Sequence, residues 1–466
     1  MRADRFATQA ASELRAIEHL KNAVATVVAL AVGLLAIEFS LRWSGWYPEK
    51  REAPAWFGAI LHGTSATRPN DRDPISDVEL PDATHPVELL PDVLDVRPPP
   101  GKPAPPDRAA WTQPPFYAFS PVTGGTLAPR AEGWWMEEGL AYVTVNGEGF
   151  RDVDHIVPKP NGVLRIAVLG DSFAEALQVP QENAFWSVLN RKLRACPALG
   201  ERDVEVLNFG VSGFGTTQEL LAYREWARKY APDLVLLSFF PGNDLQDNVR
   251  SLSERAGPVA LIKPFYTLSG GELVLDDGFL DRRRGAAKRF RAWAERLRIV
   301  QLLRMVADWT VRRNPASEDR ALVSPPDPEY ARAWAVTEAV LRRLNEEVRA
   351  DGGRLIVTTV SMAEQADPDP VRRAEWMRER GVADLFYPDK RLYALSQAAS
   401  FDMVPLAPAM ARIAERTGKY LHGFPDQWPG RGHWNHNGHA VAGQILAQEL
   451  CKRLQPRQIP SDGRKS

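Results

Sequence analysis

The chain has 466 residues, 44% of them hydrophobic and 25% charged, with 58 basic against 59 acidic side chains and a formal net charge of -1. That balance excludes a disordered chain and provides no overall field to recruit nucleic acid or an acidic polymer, while the length can bury one large core or two smaller ones. The two cysteines, Cys196 and Cys451, are too few for a disulfide framework or a metal cluster, and their spacing leaves pairing open.

Residues 23–37, AVATVVALAVGLLAI, carry no charge. A spanning helix wants roughly 20 apolar residues, and Phe39, Leu41 and Trp43 can extend this run into the interface, so the segment 1–43 reads as holding one membrane anchor. A cleaved signal peptide is the alternative, but the stretch before the run is long and of mixed charge, with no clear small-residue cleavage site after it. Basic residues flank both ends of the run. The expectation is a single pass with the bulk of the chain outside the cytoplasm.

Residues 44–115 include RPNDRDP and DVRPPPGKPAPPD, in which proline removes backbone donors and favours extended chain, so this stretch reads as a Pro-rich stalk. Residues 116–160 form a small β-rich extension; the alternation of AYVTVN and the Asn146-Gly147 pair predict a hairpin turning there. From 161 to 455 the pattern alternates β and α, with apolar runs LRIAVLG, VEVLNFG, LVLLSFF, RLIVTTV and FDMVPL separated by stretches long enough for crossover helices. This predicts an α/β domain of three layers, α/β/α, around a five-stranded, mostly parallel sheet. A helical insert is expected at about 251–325, where Phe290, Trp293, Leu297, Val300 and Leu303 recur at helical spacing among arginines. That face suits a lid or packing on the sheet, with an anionic membrane surface as the alternative. Residues 456–466 read as a tail.

Ligands of parallel sheets bind beyond the carboxyl ends of the strands. The first strand here ends in GDSF, the second in NFGVSGFGTTQE and the third in FFPGNDLQDN, and GRGHWNHNGHAVAGQIL follows near the C-terminus. A serine, a glycine-rich turn, an asparagine and a histidine are what acyl transfer from an ester requires: a nucleophile, close backbone donors, an amide donor and a base. Ser172 alone reads as a helix N-cap. In company with the other blocks it reads as a nucleophile, with a helix dipole behind it.

These blocks, in this order from about Arg165 to Leu450, resemble the SGNH (GDSL-type) hydrolase superfamily, whose fold is flavodoxin-like. By that resemblance Ser172 is the nucleophile, His433 the base, and the backbone N–H groups of Ser172 and Gly213 with the Asn243 side chain form the oxyanion hole. Gly213 would admit the substrate because it lacks a Cβ. The superfamily usually places an aspartate two or three residues before the histidine, but Arg431 and Gly430 stand there. Asp426, seven residues upstream, is the candidate third member, with a backbone carbonyl as the alternative orienter of His433. His433, His436 and His439 do not share one helical face, so no metal is expected; His436 reads as exposed and His439 as structural.

The expected function is therefore that of a membrane-associated serine esterase or acyl hydrolase, without cofactor, acting on an acyl ester, lipid or acylated glycan. Nucleic acid is not an expected partner. An O-acetyltransferase of extracellular or periplasmic polysaccharide, or a catalytically silent domain of the same fold, are the alternatives.

Overall fold

The structure is a computed structural model that describes residues 74–91, 94–108, 110–256, 263–280, 319–325, 328–425 and 427–455, all within one compact unit. The expected anchor in 1–43, the amphipathic helix around 290–303 and the tail 456–466 lie outside the described residues. No described helix is long and apolar enough to cross a membrane.

Four short strands come first, in two antiparallel pairs: β1 Tyr117–Ala118 with β2 Thr126–Leu127, and β3 Glu132–Trp135 with β4 Ala141–Thr144. The five apolar runs become β5 Val163–Gly170, β6 Asp203–Asn208, β7 Leu234–Phe239, β10 Arg354–Thr359 and β11 Asp402–Val404, while β8 Phe265–Ser269 and β9 Glu272–Asp276 make a separate hairpin. All pairings in the large sheet are parallel, and its strand order is β11-β10-β7-β5-β6. That is the flavodoxin-like order, in which the chain first steps outward to one side of β5 and then returns to the other, opening a crevice at the switch.

The helices are α1 Ser172–Glu175, α2 Phe185–Leu193, α3 Thr216–Glu225, α4 Asp244–Asp247, α5 Arg250–Ala256, α6 Pro328–Ala350, α7 Pro370–Arg380, α8 Tyr387–Ala399, α9 Leu406–Thr417 and α10 His436–Leu454. Side chains of a strand alternate between faces. Ile166 and Val168 of β5 accordingly join a core with α2, α9 and α10, whereas Ala167 and Leu169 join a second core with α3, α6 and α8. Both faces of the sheet are covered, and the architecture is three-layered.

Three expectations change. The Asn146-Gly147 turn follows β4; the β3–β4 hairpin instead turns through Met136–Leu140, because the β3 pairing places Trp135 opposite Ala141. The insert expected to be helical contains the β8–β9 hairpin in its described part. The Pro-rich segment, where described from residue 74, is a strap on the body and not a free stalk. Ala83 enters the core beside α9 and α10, Leu90 N–H donates to Asn437 Oδ1 at 2.7 Å, and Glu88 N–H donates to Gln444 Oε1 at 2.9 Å. Extended chain leaves its own peptide groups unpaired, and the side-chain amides of α10 satisfy them.

Cys196, beyond the end of α2, is disulfide-bonded to Cys451 on α10, with a Cα–Cα distance of 5.6 Å across 255 residues of sequence. The pairing left open by the sequence is therefore made.

Candidate active site

The turn after β5 decides what Ser172 does. Asp171 accepts the Phe173 N–H at 2.9 Å and is itself the N-cap of α1, so the capping role does not fall to Ser172. The serine hydroxyl is left to bond His433 Nε2 at 2.8 Å. A Cβ on Gly170 would fall 2.1 Å from Ser238 Oγ, which is why β5 ends in glycine against its neighbour. With four residues, α1 is too short for a substantial macrodipole, contrary to the expectation from sequence.

What holds so short a helix is Arg151. Its buried guanidinium donates to the carbonyls of Ala176, of Glu175 at 3.3 Å and of Val179 at 2.5 Å, satisfying the C-terminal end of the turn. Burial pulls its pKa down to about 10, so it remains charged at neutral pH. Nothing in the local pattern of GEGFRD signals this role.

The third group of the constellation comes from the small β extension. His433 Nδ1 lies 2.7 Å from Glu138 Oε2, and the His433 peptide N–H donates to the same oxygen at 3.1 Å. Asp426, the sequence candidate, lies outside the described residues, and the carboxylate found on His433 is Glu138, 295 residues away in the chain. Glu138 sits at the tip of the β3–β4 hairpin with φ +64, and its own N–H donates to Gln427 Oε1 at 2.9 Å, so the histidine loop and the hairpin tip hold each other. A Cβ on Gly432 would lie 3.0 Å from Glu138 Oε2; glycine lets the carboxylate rest against the backbone. The only local hints were the acidic pair and glycine of WWMEEGL.

Burial alone would lower the pKa of His433, but the hydrogen bond and charge of Glu138 outweigh it and the net direction is upward. The Phe173 ring lies 4.9 Å from the imidazole, and about a quarter of the histidine side chain is exposed. The preceding residue is buckled from below. His422 Nδ1 donates to Gly432 O at 2.8 Å while its Nε2 accepts from Ser361 Oγ at 2.9 Å, and burial takes this histidine down to about 4, keeping it neutral.

The expected oxyanion donors stand at the ends of the two strands flanking β5. Beyond β6, Phe214 N–H bonds Val211 O at 3.1 Å, and Gly213 has φ +78, which makes Val211–Phe214 a type II turn with glycine at its third position. A Cβ at Gly213 would meet nothing within 4 Å. The backbone angle by itself calls for glycine there. Beyond β7, Asn243 is the N-cap residue of α4 but its side chain makes no capping bond, and its buried Oδ1 has no partner among the described residues. Its amide lies near enough to Asp171 to help lower that carboxyl, which burial nonetheless raises on balance. Glu219 and Asp244 are also buried; burial and the charge of Asp171 raise Glu219, and burial with the charges of Glu219 and Asp171 raises Asp244.

The three clustered histidines diverge. His436 is buried under the strap with Nε2 donating to Pro91 O at 2.9 Å, in contrast to the exposed position expected, and His439 Nδ1 accepts the Phe185 N–H at 3.3 Å.

No family model matches the sequence, and no curated protein matches it. Among solved structures, the chain is similar to an alpha/beta hydrolase enzyme from the metagenome of Lake Arreo, Spain, at 15% identity over 65% of this chain and 100% of that one, with a TM-score of 0.34. It is similar to a catalytic mutant of an acetylxylan esterase from Geobacillus stearothermophilus at 15% identity, over 61% of this chain and 93% of that one, with a TM-score of 0.32. A third, TesA, matches at 12% identity over 62% of this chain and 99% of that one, with a TM-score of 0.31. Likeness at this level carries no weight for substrate or mechanism, and the functional reading stands on the site's own geometry.

Proposed function

We propose that the chain is a serine esterase of the SGNH type, cleaving an acyl ester with Ser172 as nucleophile, His433 as base and Glu138 as the acid that orients it. The observation that carries this reading is the continuous line from Ser172 Oγ through the His433 ring to Glu138 Oε2, with contacts of 2.8 and 2.7 Å. In the reaction, Nε2 takes the hydroxyl proton as Oγ attacks the ester carbonyl. The tetrahedral oxyanion is received by the N–H groups of Ser172 and Gly213 and the Asn243 amide, each donor worth roughly 3 kcal/mol. Nε2–H then protonates the departing alkoxide, and water, deprotonated by the same nitrogen, releases the acid and restores the serine. Glu138 keeps Nδ1 protonated and stabilises the imidazolium throughout, so a glutamate fills the third role that the superfamily usually gives to an aspartate.

The disulfide between Cys196 and Cys451 supports a location outside the reducing cytoplasm, and the uncharged run 23–37 supports attachment to a membrane. Both belong to the proposal. The test is hydrolysis of p-nitrophenyl acetate and labelling by a fluorophosphonate. Wild type should turn over and label, and Ser172→Ala should lose both; a Ser172→Ala protein that keeps its turnover overturns the reading. Adding an acetylated oligosaccharide and following free acetate against acetyl transfer then identifies the acceptor.

A further inference from the structure

Glu175 is the last residue of the helix that begins at Ser172, and it is fully buried. Its Oε2 accepts from the Tyr117 hydroxyl of β1 at 3.2 Å and from the Ser212 hydroxyl. Ser212 is the second residue of the type II turn that presents the Gly213 N–H. On its far side the same turn is held by Lys263, whose buried ammonium lies 3.3 Å from Gly213 O and 2.7 Å from Asp247 Oδ1. The nucleophile and its principal backbone donor come from the ends of two different strands, so something must set their spacing. A carboxylate three residues after the serine, bonded to the residue just before Gly213, does so with no intervening loop.

Resting on the serine-esterase reading, we propose that Glu175 is a positioning residue for the oxyanion hole: through Ser212 it fixes the Gly213 N–H relative to Ser172. A tight turn displaced by about 1 Å loses up to ~100-fold in rate, and a loosened grip should cost about tenfold. The charged groups that act on the carboxyl are Arg151 and His433, with Glu137 acting on Tyr117 and Glu182 on Arg151. Burial pushes Glu175 up to about 7, while the Ser212 hydroxyl and amide, Tyr117 and Arg151 pull the other way. The grip is consequently strongest when the carboxyl is ionised, above neutral pH.

The experiment compares kcat and KM for p-nitrophenyl acetate in the full chain and in Ser212→Ala, Ser212→Thr, Glu175→Gln and the double variant Glu175→Gln/Ser212→Ala. The expected result is a kcat about tenfold lower in Ser212→Ala and Glu175→Gln with KM within twofold, rescue in Ser212→Thr, and a double variant no worse than the poorer single one. Glu175→Gln should also lose one ionisation from the acid limb of kcat, leaving that of His433. A Ser212→Ala kcat within twofold of wild type, or additive losses in the double variant, overturns the inference, and Ser212→Ala decides it even where Glu175→Gln fails to fold. The two levels separate cleanly: an active Ser172→Ala sinks the esterase reading and this inference with it, whereas a dead Ser172→Ala beside a fully active Ser212→Ala sinks this inference alone.

Discussion

Glu138 is the residue that grips His433. Its Oε2 takes both the ring Nδ1 and the peptide N–H of His433. Replacing it with glutamine keeps the shape but removes the charge and allows the wrong tautomer, so Glu138→Gln should lower kcat by about 10³–10⁴ with KM little changed. It should also shift the acid limb of kcat/KM to lower pH, since Glu138 is what raises His433 above its ordinary value against the pull of burial. A pH profile identical to wild type would show that another group orients the imidazole. Asn243 offers a second test. With its amide in the proposed role of oxyanion donor, Asn243→Ala should lower kcat by about 10²–10³ with binding and fold retained. Steady-state kinetics on the short ester measures both.

At the scale of elements, the β3–β4 hairpin acts as an arm that brings an acid to a site otherwise built from strand ends. Its tip is seated by contact: a Cβ on Gly139 would fall 2.0 Å from the Gln178 carbonyl oxygen, which belongs to backbone and cannot easily move aside. Gly139→Ala should therefore lift the tip and withdraw Glu138 while leaving the sheet intact. The expected outcome is a kcat reduced at least tenfold with little change in far-ultraviolet circular dichroism. The five strands of the sheet are legible because each is a short apolar run buried on both faces. The hairpin turn was misplaced because Asn146-Gly147 is a genuine turn signal used for a different turn, after β4. The strap was misread because proline content reports extended chain and is silent on what that chain lies against.

For the whole molecule, two properties follow from burial and from the cross-link. From pH 6.5 to about 7.5 His422 and His439, lowered by burial, are neutral when folded while an unfolded imidazole still holds part of its proton, so these two oppose the slope set by the buried carboxyls. Glu175 and Asp389, each raised to about 7 by burial, together with the raised Glu219, Asp244 and His433, still hold protons there that an unfolded chain has released. The native state binds the excess, so stability should fall as pH rises from 6.5 to 8.5, by about 1.4 kcal/mol per pH unit for each proton of difference. Calorimetric Tm values that climb across this window would contradict the assignment. The disulfide ties α10 to the end of α2, and Cys196→Ser/Cys451→Ser should cost about 3 kcal/mol and several degrees of Tm, with thiol titration of the wild type finding no free cysteine among these two.

The amino-acid sequence by itself determined the layered sheet, the turn that carries Ser172, the glycine turn with Gly213, the strand end at which Asn243 stands and the pairing of His433 with Ser172. In each case the signal lies within a few residues of a strand end, where hydrophobic periodicity and turn chemistry are local properties. Only the tertiary structure decided which carboxylate lies on His433, which arginine holds the helix that begins at Ser172, whether the cysteines meet and where the strap lies. Those are contacts between segments distant in the chain, Glu138 with His433 at a separation of 295 residues among them. No local pattern encodes them, because their partners are chosen by how whole elements pack once the sheet and its covering helices have formed.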